Sequence, residues 1–172
     1  MDEPHIRAAT VAEVPAIAES VEQAYRHYVD RMGKPPGPML DDDAARVLEG
    51  VVWVLEEGAV VTGIIVLLPM AGYLLLDNVA VSPARQGLGL GRRLLAFAEA
   101  EALRHGYHEI RLYTHQTMVE NQRLYAQSVR KRRDAAPRPA TTASSCASSF
   151  ADNDFVGFDR CHDGRHCDPQ RH

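Results

Sequence analysis

Hydrophobic and polar positions follow two different periods along the first 125 residues, and together they predict a chain that mixes strands with helices. Short apolar runs bounded by turn residues predict strands over residues 5–9, 51–56, 60–68, 73–81 and 109–114. Apolar residues at helical spacing predict helices from a Thr10–Glu13 capping box to about residue 29, over 41–48 and over 91–105. This order favours an α/β fold with a mixed sheet, antiparallel at first and parallel across the helix 91–105.

The segment between the strand 73–81 and the helix 91–105 is rich in glycine, and we call it the glycine junction. It consists of Gln86, Gly87, Leu88, Gly89, Leu90 and Gly91. Glycines let the backbone approach an anion closely, and the unpaired N–H groups of a first helical turn point towards it. The helix dipole and the flanking Arg85, Arg92 and Arg93 add positive charge. The glycine junction therefore predicts a site that holds a phosphate group.

The spacing of the glycines limits which kind of phosphate site this is. A P-loop ends in Gly-Lys-Ser/Thr, whereas Gly91 is followed by Arg92 and Arg93. A dinucleotide-binding loop needs a third glycine at position 94, which is leucine. The pattern that fits is Q/R-x-x-G-x-G/A, with Gln86, Gly89 and Gly91. A nucleotide-binding domain is the less favoured alternative, and it predicts binding of ATP or NAD.

Two further segments belong to the same pattern. Asn121 and Tyr125 stand four residues apart after the strand 109–114, so they share one face of a helix. Residues 76–83, with the sequence LDNVAVSP, precede the glycine junction. In the combination, order and spacing of these elements, residues 5–125 resemble the GCN5-related N-acetyltransferase (GNAT) superfamily. The resemblance implies the acyl-CoA N-acyltransferase fold, in which helices flank a central mixed sheet.

The resemblance also implies a reaction. Acetyl-CoA would be the co-substrate, no metal would take part, and a primary amine on a small molecule or a peptide would attack directly in a ternary complex. Tyr125 matches the family's proton donor to the leaving thiolate. The cofactor-binding residues implied are Val79, Val81, Gln86, Gly87, Leu88, Gly89, Leu90, Gly91, Arg92 and Asn121. Val79 and Val81 would act through their backbone, beside which the pantetheine arm pairs like a strand.

The general base that takes the proton from the amine is left open between two residues. Asp77 has the same strand parity as Val79 and Val81, so we expect it to face the cleft. His115, just past the fifth strand, is the second candidate. The alternative function is a CoA-binding or regulatory module that binds acetyl-CoA without consuming it.

Composition excludes several kinds of partner. The chain is 45% hydrophobic and 24% charged, and no apolar run approaches the roughly 18–20 residues of a membrane span. Its net charge of −4 argues against nucleic acid. Residues 1–127 contain no cysteine, and the first residues do not resemble a signal peptide. We therefore expect a cytoplasmic protein without a membrane or nucleic-acid partner, and a homodimer is left open.

The chain changes character near residue 127. No leucine follows Leu124, and five of the seven serines lie in residues 128–172. We therefore divide the chain into an N-acetyltransferase core, residues 5–127, and an atypical segment, 128–172, for which we expect disorder and an exposed sheet edge. We hypothesise a slipped reading frame, because reading one base earlier permits Leu-Gly in place of Ser128 and Val129. Codons in the encoding DNA that exclude Leu-Gly would overturn this hypothesis.

The same segment holds a cluster of potential metal ligands. Cys161, His162, His166 and Cys167 offer four zinc-type side chains. The ligands form two adjacent pairs rather than pairs separated by two to four residues. We expect an accidental cluster and no metal site.

Overall fold

The structure, a computed structural model, describes residues 3–115, 118–123, 125 and 155–161. Within these residues six strands form one sheet, and their order across the sheet is their order along the chain. The strands are β1 (His5–Ala8), β2 (Val52–Glu57), β3 (Val60–Pro69), β4 (Leu74–Val81), β5 (Glu109–His115) and β6 (Phe155–Cys161). Only β4 and β5 pair in parallel. The predicted mixed sheet is confirmed.

Helices flank both faces of this sheet in the described part of the chain. They are α1 (Val14–Met32), α2 (Asp43–Leu48) and α3 (Leu90–Arg104). Residues 119–123 and 125 are also helical, and we call them α4. α1 runs three residues beyond its predicted end because its stop is Gly33, which adopts the left-handed conformation (φ 70°) and donates its N–H to the Val29 carbonyl. None of these helices is long and apolar enough to cross a bilayer.

Two hydrophobic cores lie on opposite faces of the sheet. The core of the first face, which we call the α3 face, includes Leu55, Ile65, Leu76, Val79, Leu94 and Ala98. The core of the second face, which we call the α1 face, includes Ile17, Val21, Tyr25, Val54, Ile64 and Ala80. Complete burial of a side chain such as Ile17 or Leu94 contributes about 2 kcal/mol from the hydrophobic effect. The sheet is therefore held by packing on both faces.

β4 contains one extra residue relative to β3. Val66 pairs with Asn78 and Leu67 pairs with Leu76, so Asp77 is the additional residue of a β-bulge. The parallel pairing between β4 and β5 stops at the same place, since Leu76 and Leu112 are the last pair. Beyond that pair a gap separates residues 78–81 of β4 from residues 113–115 of β5. We call this the β4–β5 gap.

The absence of leucine after Leu124 led us to expect that β5 would be an unpaired edge strand of the sheet, but β5 has a partner strand. The seven residues of β6 pair antiparallel with the seven residues of β5. Main-chain pairing does not depend on leucine, and β6 contains Phe155, Val156 and Phe158, which are residue types with high strand propensity. β6 thus covers the edge of β5, and β6 is itself the outermost strand of the described sheet. Most of the segment 128–172, which the reading-frame hypothesis concerns, lies outside the described residues.

An ion cluster ties the start of α1 to the sheet. The Nη1 and Nη2 groups of Arg7 donate to the two carboxylate oxygens of Glu13 at 2.9 and 2.6 Å, and its Nε donates to Glu56 at 2.6 Å. Glu13 also accepts from the backbone N–H and the hydroxyl of Thr10, at 2.8 Å each, and the predicted capping box is confirmed. The hydrogen bond from Arg7 is the main cause that lowers the pKa of Glu13 to about 2.

We expect Glu13→Gln to lower the free energy of unfolding by about 1–2 kcal/mol at pH 7. A carboxyl whose pKa is lowered on folding contributes stability that is complete above its unfolded pKa, 4.5, and is lost as the pH falls towards about 2. The deficit of the variant should therefore shrink between about pH 5 and pH 2. Urea denaturation across this range measures it, with Glu19→Gln, an exposed carboxylate on α1, as the control. A deficit that does not change with pH would contradict the assignment.

Candidate functional site

A cleft of about 380 Å³ opens beside the carboxyl end of β4. Its walls come from α1, from residues 79–81, from the glycine junction with its flanking arginines, and from α4. Most of the residues predicted to bind a cofactor line it: Val79, Val81, Gln86, Gly87, Gly89, Leu90, Gly91, Arg92 and Asn121. Sequence elements that lie up to 42 residues apart, from Val79 to Asn121, therefore meet at one place.

The glycine junction turns through two residues in the left-handed region, Gly87 (φ 82°) and Gly89 (φ 85°). This backbone conformation favours glycine. A Cβ at either position would meet no atom within 4 Å, so both residues border open space. Gly89 is also the N-cap of α3 and offers no side chain to its first N–H groups. The start of α3 therefore keeps the donors and the positive dipole end that bind a phosphate.

The arginines beside the glycine junction have different surroundings. Arg85 forms an ion pair with Glu57 (Nε to Oε2, 3.2 Å), and Arg93 forms a longer one with Glu3 (3.6 Å). Arg92 and Arg123 line the cleft together with Arg85. Their positive charges would add charge-assisted contacts to an anionic ligand. The amide of Gln86 donates to the Val81 carbonyl at 3.1 Å and so joins the glycine junction to the end of β4.

Tyr25 of α1 forms the opposite wall of the cleft and bonds to β4. Its hydroxyl lies 2.8 Å from Asn78 Oδ1 and 3.1 Å from the Val79 carbonyl oxygen, and its one proton is shared between these two acceptors. Burial raises the pKa of Tyr25 well above its usual value, while a hydrogen bond with Asn121 opposes that shift. Tyr25 thus remains protonated and connects α1, β4 and α4 at the edge of the β4–β5 gap.

A second contact between α1 and α4 lies nearer the surface. The Tyr28 hydroxyl donates to Glu120 Oε2 at 3.1 Å, and Arg31 Nη1 donates to both oxygens of Glu120 at 3.0 and 3.1 Å. The guanidinium carbon of Arg31 also lies 5.6 Å from the centre of the Tyr28 ring. Because about half of each charged side chain is exposed, the ion pair contributes less than about 1 kcal/mol. It nevertheless joins two walls of the cleft.

Tyr125, the predicted proton donor, lies deeper than the residues that line the cleft. Its side chain is 5% exposed and belongs to the core of the α3 face. Burial raises the pKa of Tyr125 well above its usual value, and the nearby Tyr25 and Tyr28 add to the shift. The group is therefore a neutral hydrogen-bond donor at physiological pH. Asn121 and Tyr125 belong to the same helix as predicted, but only Asn121 borders the open cleft.

The parity argument for Asp77 was wrong because the bulge at this residue interrupts the alternation of β4. Val79 packs on the α3 face. Asp77 instead accepts a hydrogen bond from Arg46 (Nη2 to Oδ2, 3.4 Å), a residue of α2, and α2 packs on the α1 face. Burial raises the pKa of Asp77, the carboxylate of Asp41 raises it further, and Arg46 opposes both effects. Asp77 does not line the cleft described above.

The remaining predicted residues are placed as follows. Leu88 is 64% exposed and does not line the cleft. The backbone of His115 belongs to β5, but its side chain lies outside the described part, as do His162, His166 and Cys167 and the side chain of Cys161. Among the residues that are described, no three His, Cys, Asp or Glu side chains are grouped so that they could hold a metal ion.

Sequence reasoning expected the first helices at the acceptor pocket, but it did not identify Tyr25 and Tyr28 as the α1 side chains that reach the cleft. Tyr25 and Tyr28 have the spacing of a buried helical face, and that signal indicates only packing. Their polar role depends on Asn78 and Glu120, which are 53 and 92 residues away. The only clue to this polar role in the sequence was that Tyr25 and Tyr28 carry hydroxyl groups on an otherwise apolar face of the helix.

The comparisons with known proteins agree with this geometry. Residues 16–129, more than half of the chain, match the model of the acetyltransferase (GNAT) family. The chain therefore belongs to the GNAT acetyltransferase family. A search among curated proteins found no match.

Several solved structures share the fold. PaiA N-acetyltransferase from Thermoplasma acidophilum, in complex with coenzyme A, has a TM-score of 0.68 at 15% identity, with 93% of this chain and 99% of that chain covered. YncA from Salmonella typhimurium, solved with acetyl-CoA, has a TM-score of 0.63 at 24% identity and 98% coverage of both chains. Diaminobutyrate acetyltransferase EctA from Paenibacillus lautus, solved with L-2,4-diaminobutyric acid and coenzyme A, has a TM-score of 0.65 at 14% identity, covering 94% and 96%. The predicted acyl-CoA N-acyltransferase fold is confirmed.

We expect Gly89→Val to abolish measurable binding of coenzyme A, because the side chain would strain the left-handed backbone and fill the space over the glycine junction. The matched control is Gly72→Val. Gly72 has almost the same backbone conformation (φ 88°) and equally open surroundings, but it lies in the turn before β4. Isothermal titration calorimetry should show normal affinity in the Gly72 variant. Equal losses in both variants would mean that general backbone strain, rather than the junction, reduces binding.

Proposed function

We propose that the protein is an N-acetyltransferase that transfers the acetyl group of acetyl-CoA to a primary amine, by direct attack of the amine in a ternary complex. The observation that carries the proposal is one continuous cleft that joins the glycine junction to residues 79–81, where β4 has separated from β5. Residues 5–127 would form the unit that carries this activity. Membership of the GNAT family supports the class of reaction.

The cleft offers the groups that an acyl-CoA requires. The first N–H groups of α3, with Arg92 and Arg123, would hold the pyrophosphate. The backbone of Val79 and Val81 has no partner in β5, which leaves that side of β4 for the pantetheine arm. When bound, acetyl-CoA supplies an acetyl thioester with a thiolate leaving group. An N–H of β4 would stabilise the oxyanion that develops on the carbonyl.

Tyr125 would assist departure of the thiolate. A buried phenol with a raised pKa does not ionise readily, so it acts by donating a hydrogen bond to the charge that develops on sulfur. Its position in the core of the α3 face, at the end of α4, supports this role. The donor is held by packing, which limits its freedom of movement.

The acceptor would approach from the α1 face, where Asp77 is the proposed base. An alkylammonium acceptor must lose a proton before it can attack. Burial raises the pKa of Asp77, and the negative charge of Asp41 adds to the effect, so that Asp77 would be a better base than a free carboxylate. Residues 1–127 carry 11 basic and 17 acidic residues, and this negative balance suits a cationic amine. A small-molecule amine and a peptide amine both meet these requirements. His115 is the alternative base.

One observation favours a second candidate function, a CoA-binding module without turnover. Asp77 is paired with Arg46 and does not line the cleft, so the proposed base is not yet aligned with the cofactor site. Such a module would bind acetyl-CoA with the same glycine junction but would not consume it.

The test of the proposal combines binding with turnover. Calorimetric titration with acetyl-CoA, with ATP and NAD as controls, should show selective binding of acetyl-CoA. Release of free CoA thiol is then followed across a panel of polyamines, amino acids and peptides with free amino groups. Thiol release that depends on one class of amine supports the enzyme, whereas binding without release across the panel supports the module. Preference for ATP or NAD would overturn both readings.

We expect Tyr125→Phe to lower kcat about a hundredfold while the affinity for acetyl-CoA stays within about twofold, because the substitution removes the hydroxyl that would donate to the leaving group and keeps the buried ring. The control is Tyr73→Phe. Tyr73 precedes β4, and its ring packs against the Arg111 guanidinium at 4.2 Å, a contact that phenylalanine preserves. Steady-state kinetics and calorimetry check both variants. Unchanged turnover in Tyr125→Phe would show that another donor, such as water, protonates the thiolate.

If Asp77 is the base, kcat/KM for the amine should rise with pH as the Asp77 carboxyl loses its proton. We expect Asp77→Asn to remove this rise from the acidic side of the pH profile. Asp41→Asn is the matched variant, because loss of its negative charge lowers the pKa of Asp77 and should move that rise to lower pH without removing it. Profiles measured from about pH 4 to pH 9 distinguish these effects. Persistence of the rise in Asp77→Asn would place the base elsewhere, with His115 as the next residue to change.

A further inference from the structure

Thr114 of β5 has a buried hydroxyl that makes no hydrogen bond. The residue is 4% exposed, and its Oγ1 is one of two buried side-chain polar atoms without a hydrogen-bond partner in the described part of the chain. The other is Glu57 Oε2, which has an ion-pair partner in Arg85 at 3.2 Å. Thr114 thus stands apart, since buried hydroxyls in proteins are nearly always bonded.

The position of Thr114 relates this hydroxyl to the cleft. Alternation along β5 places Thr114 on the same face as Ile110 and Leu112, which belong to the core of the α3 face. It lies two residues beyond Leu112, the last residue of β5 that pairs with β4. Thr114 therefore borders the β4–β5 gap on the α3 face. Tyr125 belongs to the same face, and so does Val79 on the other side of the gap.

We propose that the Thr114 hydroxyl hydrogen-bonds to the pantetheine arm of bound CoA within the β4–β5 gap. This inference rests on the proposed function, because the arm is the ligand that would enter the gap. The amide groups of pantetheine can accept from a hydroxyl or donate to it, so a threonine matches them chemically. The ligand would then satisfy a polar atom that the free protein leaves unsatisfied.

A second threonine provides a matched control. Thr62 of β3 is also 4% exposed, but its hydroxyl donates to the Leu55 carbonyl at 3.2 Å. The two residues thus have equal burial, and only one is satisfied within the protein. Replacement by valine removes the hydroxyl at nearly constant volume in both cases. If Thr114 is a ligand contact and Thr62 is structural, the two substitutions should have opposite consequences.

The experiment measures binding of CoA and of adenosine 3′,5′-bisphosphate, which lacks the pantetheine arm, by calorimetry. We expect Thr114→Val to weaken CoA binding about fivefold, to leave binding of the bisphosphate unchanged, and to leave the urea midpoint of the free protein unchanged or higher. Thr114→Ser should restore the affinity for CoA. Thr62→Val should lower the urea midpoint and leave both affinities unchanged.

The outcomes separate this inference from the proposed function. Normal CoA affinity in Thr114→Val, or equal weakening of both ligands, would overturn the contact with the arm while the cofactor assignment stands. Failure of the unsubstituted protein to bind CoA would instead overturn the proposed function. If Thr114→Val does not fold, Thr114→Ala removes the same hydroxyl with a smaller side chain and is subject to the same criteria.

Discussion

The rest of the site depends on the one extra residue that β4 carries at Asp77. A continuous parallel ladder would pair the whole of β4 with β5 and leave no space between the two strands. The bulge coincides with the end of that ladder at Leu76 and Leu112, so the later part of β4 has main-chain groups that no strand satisfies on that side. Tyr25 satisfies one of them by donating to the Val79 carbonyl. A side chain from the neighbouring helix therefore satisfies part of the main chain that β5 leaves unpaired.

The gap also connects the two faces of the sheet. The side chain of Val79 packs in the core of the α3 face, while its carbonyl accepts a hydrogen bond from Tyr25, which belongs to the core of the α1 face. α4 crosses between the same two faces, since Met118, just before it, packs on the α1 face and Tyr125, at its end, packs on the α3 face. Such a passage would let each of two substrates reach the gap from its own side of the sheet.

Elements with a regular period could be predicted from the sequence, and irregular features could not. The helix expected over 91–105 is Leu90–Arg104, and the strand expected over 109–114 is Glu109–His115, because periodicity and glycine stops are local signals. The turn of the glycine junction was also recognisable, because glycines directly before a helix are a local signal. The orientation of Asp77 was predicted from the alternation of side chains along β4, which the bulge at this residue interrupts. The strand β6 was missed because leucine content does not report main-chain pairing. Contacts such as the hydrogen bond between Tyr25 and Asn78 depend on the tertiary fold, because the two residues are 53 positions apart in the sequence.

The local irregularities of this fold indicate a functional site by where they lie together, rather than by the presence of any one of them. Left-handed glycines occur elsewhere, at Gly33 and Gly72, where they only end a helix or complete a turn. A β-bulge or an unsatisfied hydroxyl can likewise occur alone. Here the left-handed glycines of the junction, the bulge of β4 and the orphan hydroxyl of Thr114 all border one cleft or the gap beside it. Because each feature is unfavourable or neutral for folding, their concentration at one place is better explained by a ligand than by the requirements of the fold.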